Sequence, residues 1–341
     1  MKLLFVRLGS LGDIIHTVPA VSAVRGALPQ ASIHWLVDVR HLEVLELVDG
    51  VDRIHAIRPT ASGWVSAVAG LRREQYEAAL DFQGLIKSAT LARLSGAKRV
   101  VGFTRGALRE AAAATFYSES VAPVPGRHVI DKNLSLLRAI DVPQPAAAVF
   151  PFVRKPSSAL QWARAQVGER VAILNPGAAW PNKRWHPERF GAVAAAIRAR
   201  HALPSIVIWG PGERELAGRV AAASDGAAQV APATTIADLF ALCGSASLVV
   251  SGDTGPLHIA AAARAPIVGL YGPTDPRRNG PWSEDDVCVS RFEACGCHHL
   301  RRCVRERWCL EEVSVDEVVS AIDRRLSVAA PSGAPSGRGN Q

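Results

Sequence analysis

What the 341-residue chain lacks narrows its class first. No apolar run approaches the roughly 20 residues needed to span a bilayer. The opening, MKLLFVRLGSLGD, has neither the long apolar stretch nor the small-residue cleavage site of a signal peptide, so it is expected to be the first strand of a cytosolic fold. Aromatic residues make up 6% of the chain, and no segment resembles an aromatic RNA-binding strand, a helix-turn-helix or a zinc finger, which sets nucleic acid aside as a partner. There is no short-period repeat. The only low-complexity block is the end, residues 329–341, AAPSGAPSGRGNQ, expected to be a disordered tail.

What is present is core material. Hydrophobic residues reach 48% and charged residues 21%, the balance of a globular chain, and the length suits two domains. Apolar, strand-like runs occur at 2–7, 32–38, 51–57, 77–82 and 98–102, then at 170–175, 204–209, 247–251 and 266–271. Helical patterns lie between them, at 14–28, 84–95, 186–200, 213–223, 235–243 and 256–264. Continuous Val/Ile/Leu strands alternating with helices imply α/β architecture with parallel sheets buried on both faces. The alternation pauses in the Pro-rich stretch 141–160, the expected linker between two Rossmann-like halves, residues 1–155 and 165–326. Two such halves are expected to face each other across a cleft lined by the carboxyl ends of the strands.

The net charge is +8, and its distribution is uneven. Between Gly84 and Arg138 stand nine Lys/Arg (Lys87, Arg93, Lys98, Arg99, Arg105, Arg109, Arg127, Lys132 and Arg138) against three acids. Arg301, Arg302, Arg305 and Arg307 surround a single Glu306. Such segments are either solvated surface or a face for an acidic partner, such as phosphorylated lipid headgroups or nucleotide phosphates.

Glycine-bearing turns follow the apolar runs. After the first run comes Gly9-Ser10-Leu11-Gly12-Asp13, then a helical pattern. The G-x-x-G spacing falls short of the G-x-G-x-x-G dinucleotide fingerprint. Asp13 is placed either to cap the helix or to act as a general base on an attacking hydroxyl, with His16 one turn on. In the second half SLVVSGDTGPLHIA (247–260) runs from a strand into a helix start, whose free N–H groups and dipole suit a diphosphate. Thr254 and His258 flank that start. In LNPGAAWPNKRWHPERF (174–190) Lys183 and Arg184 follow a strand end, where phosphate charge would be neutralised. In IVIWGPGE (206–213) Glu213 is placed to bind ribose hydroxyls or to cap.

Four of the six cysteines fall in CGCHHLRRCVRERWC, as Cys295, Cys297, Cys303 and Cys309, with His298 and His299 among them. The ligand types suit tetrahedral zinc, but the spacing C-x-C-x5-C-x5-C is unlike a standard finger or ribbon, and a disulfide is disfavoured in the cytosol. The expected state is a reduced, metal-free structural loop beside the turn suited to a diphosphate. Cys243, in a helical pattern, and Cys288, in an expected strand, read as buried apolar residues.

Taken in order, G-D-I-I-H-T-x-P-A at 12–20, K-x-W at 183–185, D-T-G-P-L-H at 253–258 and Y-G-P-T-D-P at 271–276 resemble glycosyltransferase family 9, the bacterial lipopolysaccharide heptosyltransferases. The similarity spans about residues 1–325, and the segment 81–89, DFQGLIKSA, is most similar to the heptosyltransferase I branch. The cysteine segment is more similar to other branches, such as heptosyltransferase II. The resemblance implies a GT-B fold, an amino-terminal acceptor domain and a carboxyl-terminal donor domain. It also implies an ADP-L-glycero-β-D-manno-heptose donor, a Kdo-lipid A acceptor at the cytoplasmic face of the inner membrane, and inversion with no metal or other cofactor. Asp13 then takes the base role, and Lys183, Glu213, Asp253, Thr254, Gly255 and His258 the donor-binding roles. Gly12, Gln83, Lys87 and Arg105 are the candidate acceptor-binding residues. Ala178 and Ala179 stand where enterobacterial members carry hydroxyls, leaving backbone contacts to the donor there. The rival readings are a transferase of another branch with a different acceptor, a GT-B nucleotide-sugar epimerase, and a non-enzymatic lipid A-binding protein.

Overall fold

A computed structural model describes residues 1–124, 128–298, 300, 303, 305–306 and 308–328. Arg127, His299, Arg301, Arg302, Arg307 and the 329–341 tail, all singled out above, lie outside the described residues. By contacts the chain divides into two units. One comprises Met1–Ser157 with Thr235–Ala241 and Arg277–Asn279; the other comprises Ser158–Thr234, Leu242–Pro276 and Gly280–Gln341.

The first unit holds six parallel strands: β1 (Lys2–Val6), β2 (Ser32–Asp38), β3 (Arg53–Ile57), β4 (Ala78–Asp81), β5 (Arg99–Phe103) and β6 (Glu119–Val121). Their order across the sheet is β3-β2-β1-β4-β5-β6. The second holds β7 (Ala172–Asn175), β8 (Ser205–Val207), β9 (Ala228–Val230), β10 (Leu248–Gly252), β11 (Ile267–Tyr271) and β12 (Val287–Ser290), ordered β12-β11-β10-β7-β8-β9. Counted within its own unit, each sheet runs 3-2-1-4-5-6, the doubly wound Rossmann order. The order reverses between β1 and β4 in one unit and between β7 and β10 in the other. Ligands of such sheets bind at these switch points, beyond the strands' carboxyl ends.

Burial on both faces explains the strand composition. Leu3, Leu4, Phe5 and Val6 of β1 are all inaccessible, as are Leu248, Val249 and Val250 of β10. Each such side chain contributes about 1.5–3 kcal/mol when fully buried. The two strands that the sequence pattern did not show, β6 and β9, lie at sheet edges, as does β12, the short strand around Cys288.

Two regions depart from the sequence reading. The helical pattern at 14–28 is two helices, Leu11–Ile15 and Pro19–Ala27. Pro19 supplies no N–H and its ring crowds the preceding turn's carbonyl, so the chain breaks there and restarts with Pro19 at the first helical position. The stretch 141–160 is not all linker, because a helix, Ser158–Gln166, opens inside it.

Candidate active site

In the first unit the switch point is built around Arg7, immediately after β1. Its guanidinium is buried. Nη1 donates to the Phe82 carbonyl just past β4, and Nη2 lies 2.7 Å from Asp13 Oδ1. This pairing ties the two strand ends of the reversal together. Asp13 occupies the third position of the helix Leu11–Ile15, where its Oδ2 accepts from the Ser10 backbone N–H at 3.2 Å and the Ser10 hydroxyl at 3.1 Å. The capping role is therefore real, and it does not consume the group: the Asp13 side chain keeps 39% of its surface exposed. Burial alone would raise its pKa. The Arg7 charge, the Ser10 hydrogen bonds and Arg278 outweigh burial and hold the carboxyl below its ordinary value, so it is ionised at neutral pH.

Gly9 permits a close approach here, since a Cβ on it would meet His41 Nε2 at 2.8 Å. Gly12 is buried at the same helix start. Gln83 is tied to this loop, its Oε1 accepting from Leu8 N at 2.8 Å. The turn carrying Gln83 is organised by fully buried Asp81, which accepts from Gln83 N, Gly84 N, Ser88 Oγ and Tyr117 OH at 2.8–3.2 Å. His16 is buried, its ring edge-on to His128 at 5.3 Å. Lys87 and Arg105 are exposed. Lys87 lines an open depression of about 610 Å³ with Trp64, Ile86 and Arg109.

In the second unit the equivalent reversal carries an ionic cluster. Lys183 ends the short 3-10 turn Pro181–Lys183, and its Nζ donates to Asp253 Oδ2 at 2.5 Å, just past β10. His258 Nε2 lies 3.4 Å from Asp253 Oδ1. Asp253 is 4% exposed at its side chain and Lys183 15%. Burial pushes the Asp253 carboxyl up, but the His258 hydrogen bond and the Lys183 charge dominate and hold it well below the usual range. The Trp180 ring lies under the ammonium, 4.7 Å from Nζ to its centroid, and confines it further. Asn175, at the end of β7, donates from Nδ2 to Ser251 Oγ at 2.9 Å and Thr254 Oγ1 at 2.8 Å. This bond joins the two strand ends and fixes Thr254 at the entry to the helix Gly255–Ala262.

Glu213 precedes the helix Arg214–Ala222. Its Oε2 accepts from Gly210 N at 3.1 Å and its Oε1 lies 3.3 Å from Arg184 Nη2. The carboxylate lies across Gly177, where a Cβ would come within 2.1 Å of Oε2. Gly177→Ala should therefore displace Glu213 at a cost of about 1–3 kcal/mol for the overpacking. The expected result is a lower Tm and, on the donor-binding role that the resemblance implies for Glu213, weaker binding of the nucleotide donor, read by thermal unfolding and donor titration. Donor affinity equal to wild type would remove Glu213 from the nucleotide site.

Lys183, Asp253 and His258 are thus in direct contact, Thr254 and Gly255 stand at the adjoining helix start, and Glu213 reaches the same loop through Arg184. Sequence reasoning missed Arg7, His41, Asn175, Trp180 and Arg278. Arg7 directly follows switch-point strand β1 and Asn175 is the last residue of switch-point strand β7, and that position is the one signal that could have found them. His34, His55 and Glu74 lie close enough to share an ion. However, Lys2, at 2.8 Å, and Arg53 already pair Glu74, and the Tyr76 hydroxyl is 3.0 Å from each imidazole, so the cluster is neutralised internally.

The family model for glycosyltransferase family 9 (heptosyltransferase) matches residues 64–308. Lipopolysaccharide heptosyltransferase 1 of Pseudomonas aeruginosa is 31% identical over 312 residues, covering 87% of this chain and 86% of the relative. The protein of the same name from Escherichia coli K12 is 30% identical over 315 residues, 84% of this chain and 92% of the relative. Among solved structures, E. coli heptosyltransferase WaaC with ADP-2-deoxy-2-fluoro heptose superposes with a TM-score of 0.75 at 22% identity, covering 95% of this chain and 99% of that one. The two six-stranded parallel sheets are those of the GT-B fold, and the chain belongs to glycosyltransferase family 9, the heptosyltransferases.

Proposed function

We propose that this glycosyltransferase moves L-glycero-D-manno-heptose from ADP-heptose to the Kdo of a Kdo-lipid A acceptor, with inversion at the anomeric carbon. The observation that carries the reading is the Lys183–Asp253–His258 cluster beside the helix start at Gly255, in a chain similar to lipopolysaccharide heptosyltransferase 1. The acceptor hydroxyl gives its proton to Asp13 and its oxygen attacks the anomeric carbon. The bond from that carbon to the diphosphate oxygen breaks on the opposite face. Charge then develops on the departing ADP, where the Lys183 ammonium and the N–H groups at Gly255 stabilise it. Glu213 is assigned to the nucleotide side.

An ADP-linked donor is supported by the WaaC complex with ADP-2-deoxy-2-fluoro heptose. An acidic, lipid-borne acceptor is supported by the basic surface of the first unit. Of the basic residues between Gly84 and Arg138, Lys98 pairs with Glu77 and Arg99 with Glu119, while Lys132 and Arg138 donate to backbone carbonyls. Lys87, Arg93, Arg105 and Arg109 are exposed and have no ion pair among the described residues. Among those residues no helix is long and apolar enough to cross a membrane. Peripheral, charge-driven attachment to the cytoplasmic face of the inner membrane follows from this reading.

A donor screen tests it. ADP-heptose, UDP-sugars and GDP-sugars are incubated with Kdo-lipid A, and products are read by mass spectrometry. The expected result is one heptose added, from ADP-heptose, only when acceptor is present. Conversion of the donor sugar without acceptor would instead support the epimerase reading.

A further inference from the structure

The cysteine loop between β12 and the helix Val315–Val328 takes no part in the chemistry above, yet it gathers its sulfurs tightly. Cys295 Sγ is 3.3 Å from Cys297 Sγ, Cys297 is 3.3 Å from Cys303, and Cys309 is 3.6 Å from Cys295. All four are free thiols. Cys295, Cys297 and Cys309 are 3%, 0% and 1% exposed, and with half-buried Cys303 they form an apolar cluster composed only of cysteine. Hydrophobic packing alone gives no reason for four small sulfur side chains, with no aliphatic or aromatic member, to converge from a fifteen-residue loop. Coordination does. With metal–sulfur bonds of about 2.3 Å, a tetrahedral ion spaces its sulfurs about 3.8 Å apart. The three contacts run as a chain, Cys309–Cys295–Cys297–Cys303, each a few tenths of an ångström shorter than that, and a bound ion would draw the two ends of the chain together into a tetrahedron. An ion of charge +2 held by four thiolates leaves a net charge of about −2, and the loop carries Arg301, Arg302, Arg305 and Arg307 within its own sequence.

We propose that Cys295, Cys297, Cys303 and Cys309 bind one tetrahedral, thiophilic metal ion of the zinc or iron class, and that this ion holds the loop against the segment carrying Lys183. The structural connection runs through Asn182, whose Nδ2 donates to the Leu300 carbonyl at 2.9 Å, between the second and third ligands. Beyond the fourth ligand, the Val313 carbonyl accepts from Trp185 Nε1 at 3.1 Å and Arg189 Nη1 at 2.6 Å. Gly272 lets the loop seat itself, since a Cβ there would lie 3.0 Å from Cys309 Sγ. The ion is a structural pin, and Asn182 is a positioning residue for its neighbour Lys183. The ligand assignment is independent of which sugar is transferred, whereas the positioning role rests on the donor-site reading.

The full chain, purified under reducing conditions without chelator from cells grown with zinc and iron, is analysed by elemental mass spectrometry. The expected content is about one equivalent of metal per chain. Zinc would be colourless, and iron would show thiolate charge-transfer absorption. Mercurial titration should release the metal as four thiols react, and Cys297→Ser and Cys303→Ser should each lower occupancy at least tenfold. Metal below a tenth of an equivalent, in the purified protein and again after incubation with zinc, would overturn the site, even if both variants failed to fold. Full retention of metal in folded Cys297→Ser and Cys303→Ser protein would overturn it equally. Stripping the metal should raise the donor KM more than it changes kcat. An unchanged KM in stripped, folded protein would defeat the positioning role alone, and failure of the donor screen would leave the metal content unaffected.

Discussion

Asp13→Ala is expected to lower kcat by about 10²–10⁴-fold, the usual contribution of a positioned general base, with donor affinity nearly intact. The two effects separate because the candidate donor residues, from Lys183 to His258, belong to the other unit of the fold. Asp13 fulfils the first requirement of a base at neutral pH, since Arg7 and Ser10 keep it ionised. The same contacts lower its basicity, so proton transfer is expected late, as the nucleophile's O–H weakens on attack. The pH dependence follows in sign. On the proposed base role activity requires the carboxylate, so activity in the free enzyme should persist as pH falls until it passes below the ordinary Asp value of 3.8. The contribution of Asp13 to stability has the same direction: with a folded-state pKa below the unfolded one, it is present above the unfolded value and lost as pH falls through the folded one. Steady-state kinetics with the alanine and asparagine variants, beside calorimetric donor binding, check this. Unchanged turnover in Asp13→Ala would refute the base assignment.

Lys183→Met should damage both catalysis and folding. Removing a cation aimed at developing negative charge costs about 10²–10³-fold in kcat. Removing one partner of a buried pair costs about 3–5 kcal/mol, because the other is left charged and undersolvated. Here that other group is Asp253, 4% exposed, with His258 at 3.4 Å as partial compensation. A loss of that size corresponds to a fall in Tm of about 10 °C for a unit of this size. The double variant Lys183→Met/Asp253→Asn distinguishes the two roles. Neutralising both partners should recover much of the stability, since a buried ion pair replaced as a whole is often nearly neutral, and should recover none of the activity. Recovery of activity along with stability would mean that Lys183 only shapes the loop.

Much of this site was legible along the chain because its parts are local. A glycine turn after an apolar strand, with a helix behind it, puts free N–H groups at a strand's carboxyl end wherever it occurs, and both Asp13 and Thr254 were found that way. Nine of the twelve strands showed as apolar runs, eight of them because both their faces are buried; the ninth, β3, is an edge strand on which only Ile57 is buried. Glu119–Val121 and Ala228–Val230 did not, and Val287–Ser290 showed only as a strand around Cys288, because all three are short edge strands with less to bury. The break at Pro19 follows from one missing N–H, and a longer apolar periodicity concealed it.

The sequence by itself determined the α/β class, the turns that hold the chemistry and the residue types standing on them, since each depends on a few neighbouring side chains and the backbone they share. Only the tertiary structure decided what those residues touch. Arg7 meets the Phe82 carbonyl 75 positions away, Asn175 meets Thr254 79 away, and Lys183 meets Asp253 70 away. Such contacts arise from strand order, which brings β1 beside β4 and β7 beside β10. Strand order is set by how whole helices and strands pack together, and no short stretch of sequence records it.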